Sequence, residues 1–381
     1  METVIHVTGA GVVSAVGCGQ GETLDALRRG RSGIAPVCYL QTEEKAFPVG
    51  EVKLSDAEMA ERSGASEDLS RTSLMGILAL EEALAQAGLK NLTGVPLVGG
   101  TTVGGMDLTE RIFPAYSPLH DCGASTDAIA AHFGGAPWAT TLSTACSSAA
   151  NAVIFGANLI RSGQAEIVAV GGSESMSHFH LHGFGSLMIL DTAPCRPFDA
   201  TRAGLTLGEG AAFLILESEA SRKRRGAASL AVLSGFGNAC DAFHQTASSE
   251  NGEGAFLAMQ KALKMAGLRP EDIDYVNAHG TGTPNNDASE SAALRRVFGE
   301  QTPPVSSTKA FTGHTTSASG SIEAVFCLLA LQEGFIPANL NWNTPDPACI
   351  VPATGGSASL KHILCNAFGF GGNDSSLLFS R

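Results

Sequence analysis

The chain has 381 residues, of which 44% are hydrophobic and only 16% charged, with 45 glycines and a net charge of −13. This excludes disorder, leaves room for two domains or one duplicated unit, and argues against non-specific nucleic-acid binding. The longest clean apolar run, Ala324 to Leu331, is far below the ~20 residues a bilayer needs, so no membrane span is expected.

Charge lies well below the roughly 25% of an average soluble domain. So few charges imply burial in a large core and in a subunit interface. The nine cysteines are scattered without a Cys-x-x-Cys pair, which fits a reducing, cytoplasmic location better than a disulfide framework. The start METVIHV lacks the basic region of a secretion signal.

In chain order, residues 3–8 predict a strand running into Gly9-Ala-Gly11, and a glycine turn then leads to a helix near Gly21. Residues 69–88 have a helical period and end at a glycine. Residues 96–103, 166–173 and 210–217 read as buried strands. Between them, residues 143–163 (STACSSAANAVIFGANLIRSG) read as a helix with a small-residue face. The basic run Arg222 to Arg225 reads as a solvated loop, with a docking patch for an acidic partner as the lesser alternative. A new series follows: a strand from Ser229, a helix over 252–267, a strand over 274–279, and a hairpin of 362–367 with 375–379. Residues 313–334 (GHTTSASGSIEAVFCLLALQEG) repeat the small-residue design. Strands alternating with helices imply an α/β fold with buried sheets. The repeated helix implies an internal duplication, with units 1–222 and 228–381.

Cys146 lies where a strand-like run meets the first small-residue helix. A helix N-terminus favours a thiolate and offers N–H groups to an oxyanion. A lone cysteine is as often buried and inert. His279, in NAHGTGTP, and His314, in STKAFTGH, tip the balance, because each lies in a glycine-flanked turn at the end of an element. If a pseudo-dyad relates the halves, the two helix starts meet and Cys146 faces His314. The turn 367–374 (AFGFGGND) allows close backbone approach to a ligand.

Together TACSS, NAHGTGTP, KAFTGHT and FGFGGN resemble the β-ketoacyl-acyl-carrier-protein synthases of the Cys-His-His branch, over essentially the whole chain. The resemblance implies the thiolase fold: duplicated halves in five α-β-α-β-α layers, usually dimeric. It implies that Cys146 is the acyl nucleophile, that His279 and His314 bind and decarboxylate a malonyl thioester, and that Lys309 and Glu323 support the second histidine. Thr281 and Thr283 would bond the phosphopantetheine arm of an acyl carrier protein. Phe370 would gate the cysteine, its N–H and that of Cys146 forming the oxyanion hole. Met106, Asp107 and Leu108 are expected in the acyl-pocket floor, where a polar group suits an aromatic or conjugated chain. No metal or other cofactor is implied.

The final turn reads Gly-Gly-Asn373-Asp374 where relatives often have Gly-Gly-Thr-Asn, which puts the hydrogen bonding behind the gate in question. His178-Phe-His-Leu-His182 and Ser186 to Asp191 look more like synthases of aryl-polyene or polyketide clusters, where an active subunit pairs with a silent chain-length subunit. The alternatives are housekeeping fatty-acid elongation and a non-catalytic scaffold. A non-decarboxylating thiolase would want a second cysteine near the last turn, and Cys365 reads as strand-buried. Histidines 178, 180 and 182 on one strand face would suggest a metal. Gly9-Ala-Gly11 after a strand would suggest a dinucleotide loop, but a lone Gly-x-Gly is weak.

Overall fold

A computed structural model describes residues 3–299 and 301–381. Met1 and Glu2, part of the run that lacks a basic signal region, lie outside the described residues. Ten strands carry the fold: β1 (Ile5–Ser14), β2 (Leu97–Gly100), β3 (Ala139–Leu142), β4 (Ile167–Glu174), β5 (Gly210–Ser218), β6 (Ala231–Cys240), β7 (Tyr275–Asn277), β8 (Val305–Ser306), β9 (His362–Gly369) and β10 (Asn373–Ser380). With the short Gly17–Cys18 strand on β1 they make one eleven-stranded sheet. Its order is β8-β7-β9-β10-β6-β1-β5-β4-β2-β3.

That order is a palindrome about the β6–β1 seam, where His6 pairs with Val232 and Val7 with Ala231. On each side two antiparallel pairings are followed by two parallel ones. Each strand of the first half therefore has its counterpart five places on, which is the duplication expected from the sequence.

The helices that position the site are α1 (Arg71–Gln86), α2 (Met106–Ile112), α3 (Ser148–Arg161), α4 (His178–Ser186), α5 (Glu219–Arg225), α6 (Glu253–Ala266), α7 (Pro284–Phe298) and α8 (Ser319–Glu333). The core divides into layers. Along β5, Ala211, Phe213 and Ile215 face a cluster with α1, while Ala212, Leu214 and Leu216 face a central cluster with α3 and α8. Period-2 alternation puts successive side chains on opposite faces, so one strand serves two cores. A third cluster packs α6 against the second half. The result is the five α-β-α-β-α layers expected from the resemblance. Helix α8 is buried on almost every side, as a central-layer helix must be. Helices α3 and α8 meet at Ala150 and Gly320, where a Cβ on residue 320 would come within 2.8 Å of Ala150.

Three local readings are corrected. Gly9 and Gly11 lie inside β1, not in a dinucleotide turn. A Cβ there would sit 2.1 Å from Ala83 O or 2.0 Å from Ala79 O, so these glycines admit α1 onto the strand. The run from Arg222 to Arg225 is the end of helix α5. Its four cations pair with three carboxylates, Glu219, Glu166 and Glu217, at 2.6–2.9 Å. Residues 178–182 are helical, so His180 does not share the face of His178 and His182. His178 and His182 stack one turn apart at 6.1 Å, while His180 is buried against Ser177. Among the described residues no group of three or more His, Cys, Asp or Glu is placed to hold a metal ion.

Candidate active site

The first half supplies a thiol from a tight turn. Residues Thr144 to Ser147 join β3 to α3, and Ala145 takes φ 52°, a conformation that costs a non-glycine residue energy. Ser148 holds the turn: its Oγ donates to Ala145 O at 2.6 Å and accepts from Thr144 N at 2.9 Å. Cys146 precedes the helix rather than beginning it, since Ser147 is the N-cap. It still sits at the positive end of that helix, but burial works against the expected thiolate. Burial pushes the thiol up to about 11, opposed by the Lys309 charge and by the Phe370 and Cys146 N–H groups. At neutral pH the resting group is a thiol.

The second half supplies two imidazoles. His279 follows β7, and Glu290 on α7 fixes its loop by accepting from His279 N at 2.9 Å and Gly280 N at 2.8 Å. His314 lies in the turn before α8, five residues ahead of the helix. Its Nε2 is 3.1 Å from Cys146 Sγ, and its ring meets that of His279 edge-on at 5.2 Å. Burial and the nearby Lys309 charge hold both imidazoles well below the usual histidine range, so both are neutral.

Lys309 lies 3.3 Å from His279 Nδ1 and 2.6 Å from Glu323 Oε1. Whereas the resemblance placed this lysine behind the second histidine, its direct contact is with the first. An ammonium only donates, so His279 Nδ1 accepts and its proton sits on Nε2. Burial raises the Glu323 carboxyl to about 7 against the pull of Lys309. His314 Nδ1 faces Ser319 Oγ at 3.1 Å. A hydroxyl can donate or accept, so His314 has access to either tautomer.

Cys146, His279, His314, Thr281, Thr283 and Phe370 line one cavity of about 340 Å³, with apolar walls from Phe184, Leu187, Ile189 and Leu205. Thr281 and Thr283 share a 2.8 Å hydrogen bond at its polar end. The Phe370 ring stacks on Phe184 at 6.0 Å. Met106, Asp107 and Leu108 lie on α2 and do not line this cavity. Asp107 instead lines a neighbouring cavity of about 770 Å³ beside Arg71, Arg111 and Glu209. Burial raises its carboxyl to about 6. The sequence reading missed Glu290, which lacks a local motif, and Ser319, which a hydroxyl-rich stretch conceals.

A buried thiol, two neutral imidazoles and a lysine–glutamate pair thus lie together within a duplicated fold. Residues 2–222 match the family model for the beta-ketoacyl synthase N-terminal domain, and residues 230–343 match that for the C-terminal domain. The chain belongs to the β-ketoacyl synthase family and is accordingly an enzyme of the acyltransferase type. It is 34% identical over 407 aligned residues to nodulation protein E of Rhizobium meliloti (strain 1021), covering all of both chains. It is 32% identical to 3-oxoacyl-[acyl-carrier-protein] synthase 2 of Staphylococcus aureus (strain COL), covering 99% of this chain and 98% of that one. Among solved structures it matches the ishigamide ketosynthase/chain length factor with TM-score 0.92 and 31% identity, over 100% of this chain and 99% of that chain.

Proposed function

We propose that this chain condenses a Cys146-bound acyl group with a malonyl thioester carried on an acyl carrier protein. The observation that carries this reading is the 3.1 Å contact of His314 Nε2 with Cys146 Sγ inside the cavity that also holds His279. In the first half-reaction the thiol attacks the acyl thioester as His314 takes its proton. The carbonyl oxygen becomes an oxyanion, received by the N–H groups of Cys146 and Phe370. The carrier thiolate leaves and takes the proton from His314, which returns it to the neutral state. In the second, malonyl loses CO₂ and becomes an enolate on its thioester oxygen. The Nε2–H of His279 and that of His314 in its other tautomer stabilise that charge. The enolate carbon then attacks the acyl-cysteine, Cys146 leaves as thiolate and takes up one proton from solvent, and the chain is longer by two carbons.

Thr281 and Thr283 bond the phosphopantetheine arm, and Phe370 gates the cavity. Lys309 holds the His279 tautomer, with Glu323 balancing its charge. The second cavity, which Asp107 lines but Met106 and Leu108 do not, accommodates the far end of a long chain, and Asp107 suits a chain with a polar terminus. The partners are an acyl carrier protein and a second subunit, either a further copy or a chain-length subunit such as the one named in the ishigamide structure. The pathway is polyketide or aryl-polyene synthesis rather than housekeeping elongation. No cofactor is required beyond the substrate's own arm. The nine free cysteines suit a reducing cytoplasm, and no helix among the described residues is long and apolar enough to cross a membrane.

The test is to supply acyl-loaded and malonyl-loaded carrier proteins to the purified chain, with and without its co-purified partner. Release of CO₂ in step with a β-ketoacyl product supports the reading. Acyl carriers that are bound but never extended would leave the scaffold alternative.

A further inference from the structure

The two halves of the oxyanion site come from separate segments, the turn at Cys146 and the hairpin at Phe370. Something must fix their spacing, because oxyanion donors stabilise charge only when preorganised. The hairpin approaches so closely that a Cβ on Gly369 would lie 3.0 Å from Thr144 O and 3.3 Å from Cys146 N. Behind this approach lie three asparagines from three elements: Asn151 on α3, Asn238 on β6 and Asn373 at the start of β10.

Their side chains are joined to one another directly. Asn151 Nδ2 donates to Thr144 Oγ1 and to Asn373 Oδ1, both at 2.8 Å. Asn238 Nδ2 donates to Asn373 Oδ1 and to Asn151 Oδ1, both at 3.0 Å. Ser375 Oγ supplies the second donor to Asn151 Oδ1, at 2.9 Å. Asn151 Oδ1 thus accepts from Asn238 and Ser375, and Asn373 Oδ1 gathers donors from both of the other asparagines. Ser147, next to the nucleophile, also reaches Asn373 Oδ1 at 2.9 Å. A network of shared hydrogen bonds across three elements restrains what it joins.

We propose that Asn151, Asn238 and Asn373 are positioning residues that set the spacing of the Cys146 and Phe370 N–H groups for acyl transfer. This rests on the synthase reading and adds to it. The network binds the strained turn at Ala145 to the gate hairpin through neutral groups alone. It adds no charge beside the thiol and leaves the proton transfer to His314 undisturbed. The Asn373 side chain is the central acceptor.

The test compares two reactions of the same sulfur. Alkylation by iodoacetamide displaces iodide at a saturated carbon and builds no oxyanion. Acylation by an acyl-N-acetylcysteamine thioester builds one and needs no carrier protein. Asn373→Ala and Asn151→Ala are each expected to slow acylation about 30-fold, below the 10²–10³ of losing a donor outright, and to change alkylation less than about 3-fold. The double variant should cost little more than either single one, since both break one network. Asn238→Ala, farther from the cysteine, should cost about 5-fold and serves if the others fail to fold. Equal loss of both reactions, or acylation unchanged in all variants, overturns the proposal. A wild-type chain that alkylates but never acylates would overturn the synthase reading with it.

Discussion

In the first half the loop after β2 is held by Glu174, which accepts from Thr101 Oγ1 at 2.6 Å and Thr102 N at 2.8 Å. In the second half the loop after β7 is held by Glu290 in the same manner, but from a helix rather than a strand end. The first loop presents threonines and the second presents His279. The turns ahead of the central helices differ likewise: that before α3 carries a thiol, and that before α8 an imidazole. In the proposed reaction the duplicated places divide the chemistry, nucleophile on one side and charge-stabilising donors on the other. The two sets meet because α3 and α8 pack together at Ala150 and Gly320.

The division predicts that the half-reactions can be separated, and this is the largest effect. Cys146→Ala should abolish the acyl-enzyme entirely yet keep malonyl decarboxylation, because both imidazoles remain. His279→Ala should keep acylation and lower decarboxylation by about 10²–10³, the usual cost of one charge-stabilising donor. Mass spectrometry of the enzyme and CO₂ release from malonyl carrier check the two arms. A parallel loss of both reactions in either variant would break the comparison.

Lys309→Met sharpens the comparison within the second half. It frees Nδ1 of His279 and permits the wrong tautomer, so kcat for condensation should fall about 10-fold to 100-fold while acylation of Cys146 changes little. Single-turnover acylation beside steady-state condensation would show the split.

A smaller effect concerns pH. Burial raises Glu290 and Glu323 to about 7 and Asp374, which also faces Asp241, to about 8. The folded state then binds more protons than the unfolded one, so stability falls as pH rises from about 4 to about 8. The lowered histidines act oppositely, but only up to their unfolded value near 6.5. Melting temperature should therefore decline between pH 6.5 and 8.5. Asp374→Asn should flatten that decline, removing about 1 kcal/mol per pH unit of slope. A decline unchanged in the variant would show that Asp374 does not carry it.

The smallest effect is at the surface. Arg224→Ala removes an exposed ion pair with Glu166 and should leave the midpoint of a denaturant titration unchanged.

Much of this was legible in the chain. Cys146 was marked by the junction of a strand-like run with a small-residue helix, His279 and His314 by glycine-flanked turns at element ends, and the repeat of two small-residue helices revealed the duplication. Periodicity could not show that Gly9 and Gly11 continue a strand, since glycine lacks the side chain that would display alternation. It also misread 178–182, where His, Phe, His, Leu, His alternates like a strand but is capped as a helix by Ser177, whose side chain accepts from His180 N. The thiol's resting state was misjudged because burial, which outweighs the local dipole, is a tertiary property. Lys309 beside His279 and the asparagine network join residues 30 to more than 200 positions apart, and no local pattern encodes them.

The most direct measurement is peptide mapping of the chain after incubation with acyl-loaded carrier protein, repeated on Cys146→Ala. The account predicts one acyl adduct, on the Cys146 peptide, absent from the variant. An adduct on any other cysteine, or one that survives the substitution, would contradict it.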